Sequence, residues 1–107
     1  MTLQLHLTPA AESDLDAAYT WYELQRTGLG VRFLGAVDQF FAKLSESPAV
    51  FPEIAPGFRR GLLRRFPYGI YFAIETHAVV VHAVFHLHRN PDVVQTRRPG
   101  GGSGSRP

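Results

Sequence analysis

The chain has no cysteine, a single lysine, and no apolar run long enough to span a bilayer. Without cysteine there can be no disulfide framework and no thiolate zinc site. A reducing cytoplasm is compatible with that composition and is the expected location. The opening stretch Met1–His6 lacks a basic segment followed by an apolar one, so no signal peptide is expected. With only Lys43 among the lysines, ten of the eleven basic residues are arginine. Guanidinium groups suit bidentate contacts with phosphate or carboxylate better than ammonium does. A length of 107 residues leaves room for one domain, and 45% hydrophobic residues suffice for its core.

The modest net charge of +2 conceals an asymmetry. Residues 1–53 carry seven acids against three bases, a balance of −4. Residues 54–107 carry eight arginines against Glu75 and Asp92, a balance of +6. Such a split points to an anionic partner for the second half, either nucleic acid or an acidic protein segment. Charge alone leaves a merely solubilising surface equally open.

Leu3, Leu5 and Leu7 alternate with polar residues and predict a short strand. Thr8-Pro9 supplies a helix start, with Thr8 as N-cap and Pro9 in the first turn. Ala11, Leu15, Ala18, Tyr19 and Tyr22 then fall on one helical stripe ending near Thr27-Gly28. A second helix is expected from Val31 to Ser45, with Phe33, Val37, Phe40, Phe41 and Leu44 inward. A link as short as Gly28-Leu29-Gly30 predicts an antiparallel helical hairpin. Pro48 to Gly57 reads as loop. Three extended runs follow, Arg59–Arg65, Tyr68–Glu75 and Ala78–Leu87, with Thr76-His77 as a hairpin link. Asp92 to Arg97 suits one helical turn or a short strand. The order β-α-α-β-β-β predicts an α+β domain over residues 1–98. In it a helical hairpin packs on one face of a mostly antiparallel four-stranded sheet and leaves the other face free. The Gly/Ser-rich residues 99–107 are expected to be a disordered tail.

Strand alternation places Val79, Val81, Ala83, Phe85 and Leu87 on one face, expected to lie against the helices. His82, His86 and His88 then share the other face, with Arg89 at the strand end. Residues four apart on a strand are too distant to share one ion, and no acid lies nearby on that face, so neither metal nor cofactor is expected. Acid–base work on a phosphodiester is one reading of this face. His86 would move the proton, and Arg89 with Arg64 or Arg65 would neutralise the phosphate. A binding surface for an acidic segment is the other reading. It uses Arg59, Arg60, Arg64, Arg65, His82 and His88, and it is favoured over catalysis. Tyr19, Trp21 and Tyr22 are expected in the core, and Phe66-Pro67-Tyr68 in a bend with Phe66 and Tyr68 packed beneath it.

Several runs are similar to those of the RelE/ParE superfamily of toxins. They are Ala11–Leu15, Trp21-Tyr22-Glu23, Gly28–Leu34 and Ser47-Pro48 in the first half. Arg60–Phe72 and Ala83–Pro91 follow in the second. The resemblance covers about residues 3–98 and, in the second half, is to plasmid-stabilisation proteins of that superfamily. It implies the same β-α-α-β-β-β order. It also implies a toxin neutralised by an antitoxin whose segment covers the basic surface, as a homodimer or as a heterotetramer with the antitoxin. RelE-like members cleave mRNA in the ribosome, and ParE-like members poison DNA gyrase. RelE-type sites resemble lysine–arginine clusters with a C-terminal tyrosine. Here only Arg89 corresponds, with Arg64 or Arg65 as substitutes, while Lys43 sits on the second helix and no tyrosine follows Tyr71. That departure makes the chain look more like the ParE branch, which inhibits by binding. A non-toxic member that only binds a partner is the third expectation.

Overall fold

The computed structural model describes residues 2–89 together with Arg97 and Pro99. The expected turn at 92–97 and the expected tail at 99–107 otherwise fall outside the described residues. Strand β1 (Gln4–Leu7) leads into helix α1 (Pro9–Gln25), and α2 (Leu29–Glu46) returns antiparallel to it. A 3₁₀ turn at Pro48–Val50 precedes β2 (Glu53–Ala55), β3 (Phe58–Leu62), β4 (Tyr68–Ile74) and β5 (Ala78–His86). The sheet runs β1-β5-β4-β3-β2, with β1 parallel to β5 and the remaining pairs antiparallel. The class is therefore the expected α+β, with five strands rather than four. The fifth is β2, a three-residue strand hidden in the proline-rich stretch expected to be loop. Its register against β3 is interrupted between Glu53 and Ala55, so it carries little of the alternation that would announce a strand.

Local chemistry sets the helical hairpin. The Thr8 hydroxyl accepts the Ala11 N–H at 3.1 Å, and Pro9 opens the helix. At the far end the Glu23 carboxylate accepts the N–H of Gly28 at 2.8 Å and of Gly30 at 2.9 Å. Those two bonds satisfy amide donors at the start of α2 that no helical carbonyl can reach. Gly28 turns the chain at φ 92°, where a side chain would be strained. A Cβ at Gly30 would lie 2.7 Å from the Tyr19 carbonyl oxygen, so glycine is what lets the helices close.

The main core lies between the hairpin and the sheet. Phe33, Val37 and Leu44 of α2 meet Ile70, Phe72, Val79, Val81 and Val84 of the sheet, all almost fully buried. Tyr22, Phe33, Phe66 and Tyr68 form a cluster of rings with centroids 5.0 to 6.0 Å apart. That cluster closes the β3–β4 bend over the helices, as expected for Phe66 and Tyr68.

The face alternation of β5 departs from expectation. Tyr71 pairs with Ala83, but its neighbour Phe72 pairs with Val81, so His82 is an extra residue, a β-bulge. Val79 and Val81 point to the helices as expected, whereas Ala83 and Phe85 point away, and Val84 takes their place in the main core. The face opposite the helices is consequently not free. Phe58, Tyr71, Ala83 and Phe85 build a second apolar cluster there, with Phe58 and Ala83 fully buried.

Replacing Glu23 by alanine should lower stability by about 2 kcal/mol, the scale of losing charge-assisted hydrogen bonds to two partly buried amides. Chemical denaturation measures it, and an unchanged midpoint would contradict the role given to Glu23.

Candidate functional site

β1 pairs with β5 only from Ala78 to Val81, because the chain then turns into α1. Thr8 N–H still reaches the Val81 carbonyl at 3.0 Å. Beyond it the outer edge of β5 faces α1, and two side chains stand in for a neighbouring strand. The Asp14 carboxylate accepts the Val84 N–H at 3.0 Å. The Arg97 guanidinium donates to the His82 carbonyl at 3.0 Å and holds both oxygens of Asp14, at 2.8 and 3.2 Å. Its carbon also lies 4.8 Å from the centre of the Phe85 ring. Both side chains of this ion pair are mostly shielded, Asp14 more than Arg97. Neither residue stood out in the sequence as a site.

Further along the same edge, α1 and β5 enclose a groove of about 530 Å³. Trp21, Tyr68, His86 and Arg89 are among its walls. The His86 ring meets Tyr68 edge-on at 5.3 Å, consistent with the pairing of these two residues across β4 and β5. Arg89 donates to the Tyr68 hydroxyl at 3.0 Å and stacks 4.6 Å above the ring of Trp21. Trp21 is thus not a core residue as expected; it stands 42% exposed as the platform beneath Arg89. His88 donates its N–H to His86 Nδ1 at 3.1 Å. Burial, and then the neighbouring Arg89 and His88, push the His86 pKa down.

The three histidines do not share a face. The bulge sends His86 to the helix side, while His82 meets Phe58 edge-on at 6.1 Å on the opposite side. Among the described residues the buried Nε2 of His82 has no hydrogen-bond partner. Desolvation lowers its pKa; Glu75 opposes the shift and Arg97 adds to it. No group of three possible metal ligands gathers among the described residues.

The arginines of β3 and its following bend also separate. Arg59 faces the helices and is already engaged: it donates to the carbonyls of Ala49 and Phe51 at 3.2 and 2.6 Å and pairs with Glu53 at 3.6 Å. It ties down the 3₁₀ turn instead of facing a partner. Arg60 pairs across from Tyr71 and so lies on the sheet face opposite the helices. Arg64 and Arg65 are exposed in the β3–β4 bend and line a different groove, about 770 Å³ in volume, between that bend and α2. Arg26, Arg32 and Lys43 line it as well, and no carboxylate does. Arg65 sits at φ 73°, a left-handed conformation that costs a non-glycine residue about 1–2 kcal/mol. Gly35, exposed in the wall of this groove, has nothing within 4 Å of an added Cβ, although mid-helix glycine costs about 0.5–1 kcal/mol relative to alanine.

The histidine shifts have a sign. A histidine whose pKa falls on folding binds its proton less readily in the folded chain than in the unfolded one. Full stability is therefore kept above the ordinary value of 6.5 and declines as pH drops through it toward the folded value. Urea midpoints at pH 7.5 and 5.5 should show this loss, and His82→Gln should shrink it. An equal loss in the variant would contradict the role of His82. Asp14→Ala should destabilise by about 3 kcal/mol, since it strands the Val84 N–H and the shielded guanidinium together. A change under about 0.5 kcal/mol in the same titration would refute that account.

Comparison with known proteins bears on this arrangement. The family model described as the ParE toxin of the type II toxin–antitoxin system, parDE, matches residues 5–91. No curated protein sequence matches the chain significantly. Among solved structures, a chain from the chromosomal ParDE toxin–antitoxin system of P. aeruginosa superimposes with a TM-score of 0.72 at 20% identity, covering 79% of this chain and 96% of that one. A chain of the RelBE2 toxin–antitoxin complex from Mycobacterium tuberculosis superimposes with a TM-score of 0.59 at 26% identity, covering 80% of this chain and 99% of that one. With the match running from β1 to just past Arg89 and so including both grooves, this chain belongs to the ParE toxin family of type II toxin–antitoxin systems, within the wider RelE/ParE superfamily.

Proposed function

We propose that the chain is a ParE-type toxin that inhibits DNA gyrase by binding it and is held silent by a cognate antitoxin. The observation that carries this reading is the separation of the basic residues. Cleavage of a phosphodiester asks a proton carrier and several cations to converge on one phosphate. Here His86 and Arg89 line the groove between α1 and β5, while Arg64 and Arg65 line the groove beside α2. Arg59 is occupied by backbone carbonyls, and Arg60 lies across the sheet from the helices. A proton carrier that stands apart from the main group of cations suits contact with a large partner better than attack on one bond. The antitoxin is supported by the family itself and by the two neighbours, both from toxin–antitoxin systems.

A second reading, ribosome-dependent mRNA cleavage, draws on one specific observation. His86, Tyr68 and Arg89 do stand together, with an imidazole of lowered pKa near a cation.

Purified protein in excess should abolish supercoiling of relaxed plasmid by gyrase, and equimolar antitoxin should restore it. Normal supercoiling at excess toxin would refute the gyrase reading. Transcripts in a translating extract should stay intact. Cleavage that disappears in His86→Ala and Arg89→Ala would transfer the function to the second reading. Normal growth on expression without antitoxin would indicate a non-toxic binding member.

A further inference from the structure

We propose that the groove between α2 and the β3–β4 bend grips the phosphate backbone of duplex DNA, the substrate that gyrase holds. This rests on the gyrase reading for its source of DNA, while the groove's own chemistry indicates the ligand. Arg26, Arg32, Lys43, Arg64 and Arg65 converge on it without a carboxylate in the lining. Among the described residues, none of the five has an ion-pair partner; the ion pairs there belong to Arg59 and Arg97. Four of the five are guanidinium groups, which match phosphate oxygens in pairs.

Two further features of the groove fit an outside occupant. Arg65 keeps a left-handed backbone at the tip of the bend, where glycine or asparagine would be at ease, and it makes no hydrogen bond or ion pair among the described residues. Gly35 weakens α2 while relieving no crowding inside the protein, since an added Cβ there would meet open space. The bend holds Arg65 at its tip, where it can reach an outside occupant, and Gly35 with the neighbouring Ala36 lets that occupant come close to the helix.

The alternative occupant is an acidic amphipathic protein segment, which would draw much of its affinity from apolar burial. The groove's apolar surface is spread over several half-buried side chains and not gathered in one exposed stripe. Among its apolar lining residues, only Leu62 is more than about a third exposed, at 51%, and Phe40 is already buried. A polyanion bound through counterion release needs no such surface.

Fluorescence anisotropy with a labelled duplex of about two helical turns and arbitrary sequence tests the proposal without gyrase. Binding should weaken with salt along a log–log slope of roughly −4.5, as about five phosphate contacts require. Arg64→Ala/Arg65→Ala should bind at least 10-fold more weakly, with a slope flatter by about 2. Gly35→Leu should fold normally, having open space around it, and also bind more weakly. Arg60→Ala, on the other side of the sheet, should bind like the native chain. An equal loss in Arg60→Ala, a slope near −1, or no binding at 50 mM salt would overturn the proposal. So would an acidic amphipathic peptide of leucine and glutamate that displaces the duplex at equal concentration. Gyrase inhibition without duplex binding would sink the groove assignment alone; duplex binding without inhibition would sink the gyrase reading alone.

Discussion

At His82 the ladder between β4 and β5 skips a residue, and what lies on either side of the sheet follows from that skip. Up to Val81 the strand feeds the helix-side core in strict alternation. One residue later the order is exchanged. Val84 fills the main core, Ala83 and Phe85 complete a second cluster around Phe58 and Tyr71, and His86 arrives beside Tyr68. The bulge sits where β1 ends and α1 begins, so the same stretch loses its neighbouring strand. Asp14 and Arg97 supply the missing donors and acceptors with side chains. A sheet edge that is both bulged and capped by an ion pair is a poor template for a further strand, which protects the toxin against edge-to-edge association.

The helical hairpin was legible in the sequence because its signals are local. Thr8-Pro9 marks a start, glycines mark the link, and apolar spacing marks the inward face. The three long strands were legible in the same way, to within a residue or three at most ends. What was not legible depends on pairing between distant segments. Alternation along β5 is a correct rule applied to a strand with one residue too many, and nothing in Val81-His82-Ala83 announces the extra residue. β2 is too short and irregular to carry a pattern. The site divided along similar lines. His86 and Arg89 are close in sequence and stay close in space, on the walls of one groove. Arg64 and Arg65 share their chemistry, but the bend turns them toward α2. Arg26, Arg32 and Lys43 sit in the acidic half of the chain, so no local run of charge marks them. Folding brings them to the basic groove, so the charge split along the sequence is not the charge split in space.

The two grooves impose different demands on their cations. In the groove beside α1, Arg89 is held from two sides, by a hydroxyl and by an aromatic face, and Arg97 is locked onto a carboxylate nearby. These are positioned charges with little freedom left to lose. Beside α2 the arginines stand exposed and without partners among the described residues, so a ligand there must order them on arrival. Rigid placement favours recognition of one shape, and loose placement favours recognition of a charge pattern. A small toxin carrying both can meet a partner with specificity on one flank and with electrostatic attraction on the other.

The stacking of Arg89 on Trp21 has a practical side. Trp21 is the chain's single tryptophan, so its emission comes from one place, the mouth of the groove between α1 and β5. A guanidinium resting on the indole face and an exposed ring edge make that emission sensitive to anything that lifts Arg89 or excludes water. The protein thus carries an optical reporter at one groove and none at the other, and a titration watched by its own fluorescence distinguishes a ligand that enters beside α1 from one that enters beside α2.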